Sequence, residues 1–135
     1  MGLSGKSLLA LDVGEKRIGV AAASGSIRIA VSLDTIEVDG SEVDQIARII
    51  ADEKTDILVI GYPRNQSGEA TAQTQFVEDF ATRLNGMVAT IEYQDESLTS
   101  VMAENQLKAD GRPYGKGDID ARAAAIILQD YMESH

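Results

Sequence analysis

The 135-residue chain contains no cysteine and no tryptophan, and its single histidine is the last residue, His135. Without cysteine there is no disulfide framework and no thiolate ligand for a metal ion. A single terminal histidine argues against a histidine-based catalytic pair and against a zinc centre. Any metal ion must therefore be bound by oxygen atoms, which favours a hard cation such as Mg²⁺ or Mn²⁺.

Long apolar runs and a secretion signal are also missing. No apolar stretch approaches the roughly 20 residues that a membrane span needs, and no cleavage site follows a hydrophobic region near the first residues. We therefore expect a cytoplasmic protein without membrane contact. The length and the hydrophobic fraction of 44% suit a single domain, 1–135, with a proper core.

Basic residues are scarce, because 22 acids stand against 12 bases and give a net charge of −10. Proteins that bind nucleic acid usually carry a basic face, so this charge lowers the expectation of tight, non-specific DNA binding. A local basic rim and bound cations still act within a Debye length of about 10 Å.

Apolar periodicity predicts five strands and four helices. The strands are 8–13, 17–23, 27–38, 57–60 and 88–93, and the helices begin after Ser41 and lie near 70–84, 98–109 and 119–133. Tight turns join the first three strands into an antiparallel meander, and the later strands alternate with helices. The order predicts an α/β fold, a five-stranded mixed sheet with helices on both faces.

One acid, Asp12, lies within the first apolar strand, 8–13, of the most apolar stretch, 8–23. An isolated carboxylate buried in a sheet costs roughly several kcal/mol unless something neutralises it. A divalent cation is one such partner. The alternative is that Asp12 ends its strand as an exposed acid or a turn residue.

Acids also mark two other element ends, Asp95-Glu96 after the fifth strand and Asp118 with Asp120 at the last helix. Ligands bind at the carboxyl ends of parallel strands, so these groups and Asp12 can converge. Converging carboxylates repel unless cations lie between them, as in two-metal phosphoryl transfer. Each acid also has a structural interpretation, as a helix cap for Asp118 or Asp120 and a turn residue for Asp95. Neighbouring strand residues face opposite sides, so we do not expect Asp95 and Glu96 to share one site.

Polar residues follow the strand that ends at Gly61, and among them Arg64 and Asn65 could contact phosphate. The alternative is an ordinary loop between a strand and a helix. Lys16, Arg17, Arg64 and Lys116 are the bases nearest the acidic edges. Singly they are surface cations, but together they would form a rim that positions phosphates.

Four segments together resemble one family. They are DVGEKRIGVA (12–21), GYPRNQSG (61–68), DESLTSVMAE (95–104) and KGDIDARAAAIILQDY (116–131). In order, and over essentially the whole chain, they are similar to the YqgF family, also called RuvX. These small bacterial proteins are described as pre-16S rRNA nucleases or Holliday junction resolvase-like proteins. The resemblance implies a ribonuclease H-like fold.

The resemblance also implies roles for individual residues. Asp12 matches the metal-binding Asp of the first strand, the second acid lies in the Asp95-Glu96 pair with Glu96 favoured, and Asp120 matches the third acid. The basic positions that match the family are Lys16, Arg17 and Lys116. Two departures are Ser97, where the family usually has Arg, and 23–25, where it commonly carries an Asp.

The resulting hypothesis is a nuclease dependent on Mg²⁺ or Mn²⁺ that hydrolyses phosphodiester bonds in the 5′-end maturation of pre-16S rRNA. Its partners would be RNA and ribosomal particles, and the protein would be a monomer or a weak homodimer. One alternative is a Holliday junction resolvase-like enzyme acting on branched DNA, which requires a dimer with two sites. Another is a non-catalytic ribosome-assembly binding module.

Overall fold

The structure is a computed structural model that describes residues 2–63, 71–96 and 99–135. In this part of the chain there are six strands and four helices. The strands are β1 (Ser7–Val13), β2 (Arg17–Ser24), β3 (Val31–Ser32), β4 (Ile36–Glu37), β5 (Ile57–Pro63) and β6 (Thr90–Glu96). The helices are α1 (Glu42–Glu53), α2 (Ala72–Thr82), α3 (Thr99–Asp110) and α4 (Lys116–Glu133).

All six strands belong to one mixed sheet with the order β3-β2-β1-β5-β6, and β4 also pairs with β2. β1 and β2 are antiparallel, whereas β5 lies parallel to both β1 and β6. This confirms the predicted mixed sheet. The carboxyl ends of β1, β5 and β6 lie at one edge, which is where ligands bind in parallel sheets.

The predicted third strand, 27–38, is the main difference, because only two short pieces of it pair with β2. Arg28 has a left-handed backbone with φ of 62°. The segment then turns its polar groups toward α4, where the Ala30 N–H donates to Gln129 Oε1 and Gln129 Nε2 donates to the Arg28 carbonyl. These contacts replace strand pairing over this part of the segment.

Helices cover both faces of the sheet, as the sequence predicts. Alternate strand residues face opposite sides, so Leu9 and Leu11 pack with α1 and α2, while Leu8 and Ala10 pack with α4. α3 packs on the outside of α4 through Ala103. By this alternation, Asp12 faces the α4 side of the sheet.

Two element boundaries differ from the sequence prediction in ways that affect the acids. β6 begins at Thr90 and runs through Glu96, so both acids of the 95–96 pair are strand residues. α4 begins at Lys116 rather than 119, which places Asp120 in its second turn. No helix of the described residues is long and apolar enough to cross a membrane.

Candidate active site

Asp12 and Glu96 meet across β5 at the carboxyl edge of the sheet. Their side chains share a hydrogen bond. Asp12 is the next-to-last residue of β1 and Glu96 the last residue of β6, and both are partly buried. The parallel pairing of β5 with both strands therefore brings together two acids that lie more than 80 positions apart in the sequence.

Gly61 provides the space for this pair. It lies in β5 between the two acids, and a Cβ built on it would lie 2.3 Å from Oε2 of Glu96 and 2.7 Å from Cδ1 of Ile127. No side chain fits there, so the glutamate carboxylate occupies the volume. Sequence reasoning took Gly61 only as a strand end; a glycine inside an apolar strand run is the signal for such a close approach.

Burial and like charge both act on the Asp12 carboxyl group. Burial, followed by the negative charges of Glu96 and Asp120 and the hydrogen bond with Glu96, raises the pKa of Asp12 to about 8. Burial also raises the pKa of Glu96, opposed by its hydrogen bond with Asp12. At neutral pH the Asp12 carboxyl group therefore keeps its proton while it shares a hydrogen bond with Glu96.

Asp120 lies near the pair but has a different partner. Its Oδ2 accepts a hydrogen bond of 2.7 Å from Nε of Arg17, the first residue of β2. Within 2–63, 71–96 and 99–135, no three acids or histidines are grouped closely enough to hold one metal ion. The structure thus brings Asp12 and Glu96 together and holds Asp120 beside them through Arg17.

The start of α4 is pressed onto β2 at Gly19. A Cβ on Gly19 would lie 1.9 Å from the carbonyl oxygen of Asp120, so only glycine permits this approach. Ser32 Oγ also donates to the Ala121 carbonyl at 3.2 Å. These contacts fix the backbone of Asp120 relative to the sheet.

The other two acids lie apart from the pair. Asp118 is exposed, and its Oδ2 accepts a 2.8 Å hydrogen bond from the Gly115 N–H, so it stabilises the first turn of α4. Asp95 is exposed on β6, next to Glu96 and facing the opposite side of the sheet. Glu96 rather than Asp95 is the acid that accompanies Asp12.

The predicted basic residues are placed differently from one another. Lys16 is exposed in the turn between β1 and β2, and Lys116 is exposed at the start of α4. Arg17 is bound to Asp120. Arg64 and Asn65 lie outside the described residues.

The sequence matches one protein family over nearly its whole length. The model of the RuvX family, described as Holliday junction resolvase, matches residues 6–134. A protein of Rippkaea orientalis is 42% identical over 133 residues, which cover 95% of this chain and 96% of the relative. One of Synechocystis sp. is 43% identical over 130 residues, covering 93% and 86%. Both carry the name "Putative pre-16S rRNA nuclease".

Two solved structures share the fold. RuvC of T. thermophilus in complex with a Holliday junction substrate aligns with a TM-score of 0.57 at 10% identity, covering 96% of this chain and 94% of that one. The fowlpox virus resolvase in complex with Holliday junction DNA aligns with a TM-score of 0.55 at 13% identity, covering 95% and 97%. These alignments confirm the predicted ribonuclease H-like architecture. By its sequence match over nearly its whole length, the chain belongs to the RuvX family, a family of nucleases.

Proposed function

We propose that this nuclease hydrolyses phosphodiester bonds with the help of divalent cations held by Asp12, Glu96 and Asp120. The observation that carries the proposal is the partly buried, hydrogen-bonded Asp12–Glu96 pair at the carboxyl edge of the sheet. Two partly buried acids in contact, with a third acid nearby, are costly for a fold to maintain. Such an arrangement is typical of an active site rather than of a core.

The residues fit a hard divalent cation. All three side chains are carboxylates, the ligands that Mg²⁺ and Mn²⁺ prefer. The like charge that raises the pKa of Asp12 is the charge that a cation would compensate. When bound, such an ion supplies Lewis-acid activation of a water molecule and neutralises charge on the phosphate.

The chain's own residues bind and orient the substrate around this centre. Asp12 and Glu96 would hold such an ion as carboxylates, so Asp12 would give up its proton to the solvent. Lys16, in the turn after β1, and Lys116, at the start of α4, are both exposed, and we assign them the binding of phosphate. We assign the same role to Arg64 and Asn65, as the sequence predicts, so that the phosphate backbone is held in line for attack.

We propose the 5′ region of pre-16S rRNA as the substrate, reached within ribosomal particles in the cytoplasm. Support comes from relatives with this substrate in their name, which are 42–43% identical over at least 93% of this chain. The net charge of −10 favours a substrate recognised at a specific structure over nucleic acid bound non-specifically.

The test is cleavage of a 16S precursor transcript in Mg²⁺ by the purified protein, beside Asp12→Asn and Asp118→Asn. We expect the first variant to lose cleavage and the second to keep it, because Asp118 stabilises a helix end. Equal cleavage by wild type and Asp12→Asn would contradict the assigned role of Asp12.

Branched DNA is the second candidate substrate, favoured by the description of the matched family as Holliday junction resolvase. Paired cuts need two sites, so this candidate requires a homodimer at working concentration. The same three proteins are offered a four-way DNA junction, with their mass in solution measured by light scattering. Cleavage of the junction by a dimer, with the precursor RNA intact, would favour DNA. Binding of rRNA without cleavage of either substrate would identify a non-catalytic assembly module.

A further inference from the structure

Arg17 and Asp120 form an ion pair at the mouth of the candidate site. The guanidinium Nε lies 2.7 Å from Oδ2, and the two side chains are 28% and 23% exposed. The pair is therefore sheltered enough to be ordered and open enough for a ligand to reach either partner. A guanidinium binds carboxylate and phosphate oxygens in the same geometry.

The backbone on both sides of this pair is fixed. The close approach of Gly19 to the Asp120 carbonyl leaves no room for α4 to shift toward β2. Thr35 Oγ1 donates to the Gly117 carbonyl one turn earlier on the helix. A change of partner for Asp120 is therefore a rotation of its side chain and needs no movement of the helix.

Asp120 lies between its positive partner, Arg17, and the acidic pair of Asp12 and Glu96. It is close enough to Asp12 to raise the pKa of that acid. Yet in the part of the chain that the structure describes, no three-acid group is assembled. Asp120 instead pairs with Arg17, whose Nε lies 2.7 Å from its Oδ2.

We infer that Arg17 exchanges partners, holding Asp120 in the free protein and a phosphate of the nucleic acid in the complex. This inference rests on the proposed function. Asp120 then becomes available to a cation only when substrate takes Arg17 away, which makes Arg17 a positioning residue that acts through Asp120. Binding of nucleic acid thus frees the third carboxylate and completes the cation site. Without nucleic acid, only Asp12 and Glu96 are available to a cation.

The test is the affinity for Mn²⁺ in the absence of nucleic acid, measured by electron paramagnetic resonance. Wild type is compared with Arg17→Gln and with Arg122→Gln, a control in α4 whose guanidinium pairs with Asp110 at 3.1 Å. Release of one such ion pair should tighten Mn²⁺ binding about 2- to 5-fold in Arg17→Gln. The control should bind like wild type. Equal or weaker binding by Arg17→Gln would overturn the inference.

Two further variants separate this role from a structural one. The gain should disappear in the double variant Arg17→Gln/Asp120→Asn, because the freed carboxylate is then absent. Arg17→Lys keeps the positive charge and is the control for a folding defect in Arg17→Gln. It should bind Mn²⁺ with an affinity nearer to wild type. A gain that survives Asp120→Asn would overturn the inference.

Cleavage kinetics provide a second readout. Arg17→Gln should raise KM for the precursor RNA and lower the Mn²⁺ concentration that gives half the maximal rate. Failure of every variant to bind Mn²⁺ would overturn the proposed function together with this inference. Equal Mn²⁺ binding by wild type and Arg17→Gln, with loss of binding in Asp12→Asn, would overturn the inference alone.

Discussion

The carboxylate of Glu96 occupies the volume that a side chain on Gly61 would fill. A Cβ on Gly61 would lie only 2.3 Å from Oε2 of Glu96. β5 therefore keeps a glycine at the one position where the acids of β1 and β6 have to meet. The relationship ties a backbone position to the geometry of the candidate active site.

Gly61→Ala is expected to separate Glu96 from Asp12. The added methyl group would also lie 2.7 Å from Cδ1 of Ile127 in α4. Either the Glu96 side chain or α4 must therefore move away from Gly61. We expect cleavage to fall about 100-fold, as for a displacement of about 1 Å. Stability should fall by about 1–3 kcal/mol, as in overpacked cores. Activity assays and urea unfolding measure the two effects.

Gly115→Ala is the matched control for that substitution. Gly115 has φ of −118°, and nothing lies within 4 Å of a Cβ built there. Gly115 is the N-cap of α4, where alanine is disfavoured, so stability should fall by up to about 1 kcal/mol while cleavage persists. Equal effects of the two glycine substitutions would contradict the role assigned to Gly61.

Asp12→Asn should be more stable than wild type, by an amount that depends on pH. Burial and neighbouring charge raise the pKa of Asp12 from 3.8 to about 8. Between these values the folded protein keeps a proton that the unfolded chain has lost, so stability falls as pH rises through the window. Asparagine does not ionise, so Asp12→Asn does not lose stability over this pH range. The difference in unfolding free energy should be small below about pH 4, grow to about pH 8 on the order of several kcal/mol, and then level off.

That difference is measured by urea unfolding in chelator across the pH range, with Asp118→Asn as the control. Asp118→Asn should follow the pH dependence of wild type, because its carboxylate is exposed. A pH-independent difference between Asp12→Asn and wild type would show that the Asp12 carboxyl group titrates normally.

Divalent cations should stabilise the folded protein through the acidic pair. Ligand at 100 times its dissociation constant adds about 2.7 kcal/mol when it binds only the folded state. Wild type and Asp118→Asn should therefore melt at higher temperature in Mn²⁺ than in NaCl of equal ionic strength. Asp12→Asn and Glu96→Gln should show little of this increase. An equal increase in all four proteins would place the ion elsewhere.

The fold could be predicted because its strands and helices have strong periodic signals. β1 and β5 are apolar runs that only a buried strand explains, and the connections between later strands are long enough for helices. The segment 27–38 was mispredicted as one strand because its pairing depends on a left-handed residue, Arg28, and on hydrogen bonds to Gln129. Both are decided by contacts between distant parts of the chain.

The site could be predicted in outline from acids at strand and helix ends, together with the family resemblance. The partner that each acid has in the structure could not be predicted. In the structure Asp12 is hydrogen-bonded to Glu96 and its pKa is raised, where the sequence suggested a cation as the partner. The pairing of Arg17 with Asp120 joins residues 103 positions apart, and nothing in local sequence encodes it.

The central claim is that Asp12 and Glu96 hold a cation, and anomalous scattering from a crystal soaked in Mn²⁺ tests it most directly. The result we predict is an Mn²⁺ peak within bonding distance of carboxylate oxygens from both residues. A crystal that binds Mn²⁺ only at other acids, with Asp12 and Glu96 still joined by their hydrogen bond, would contradict the claim.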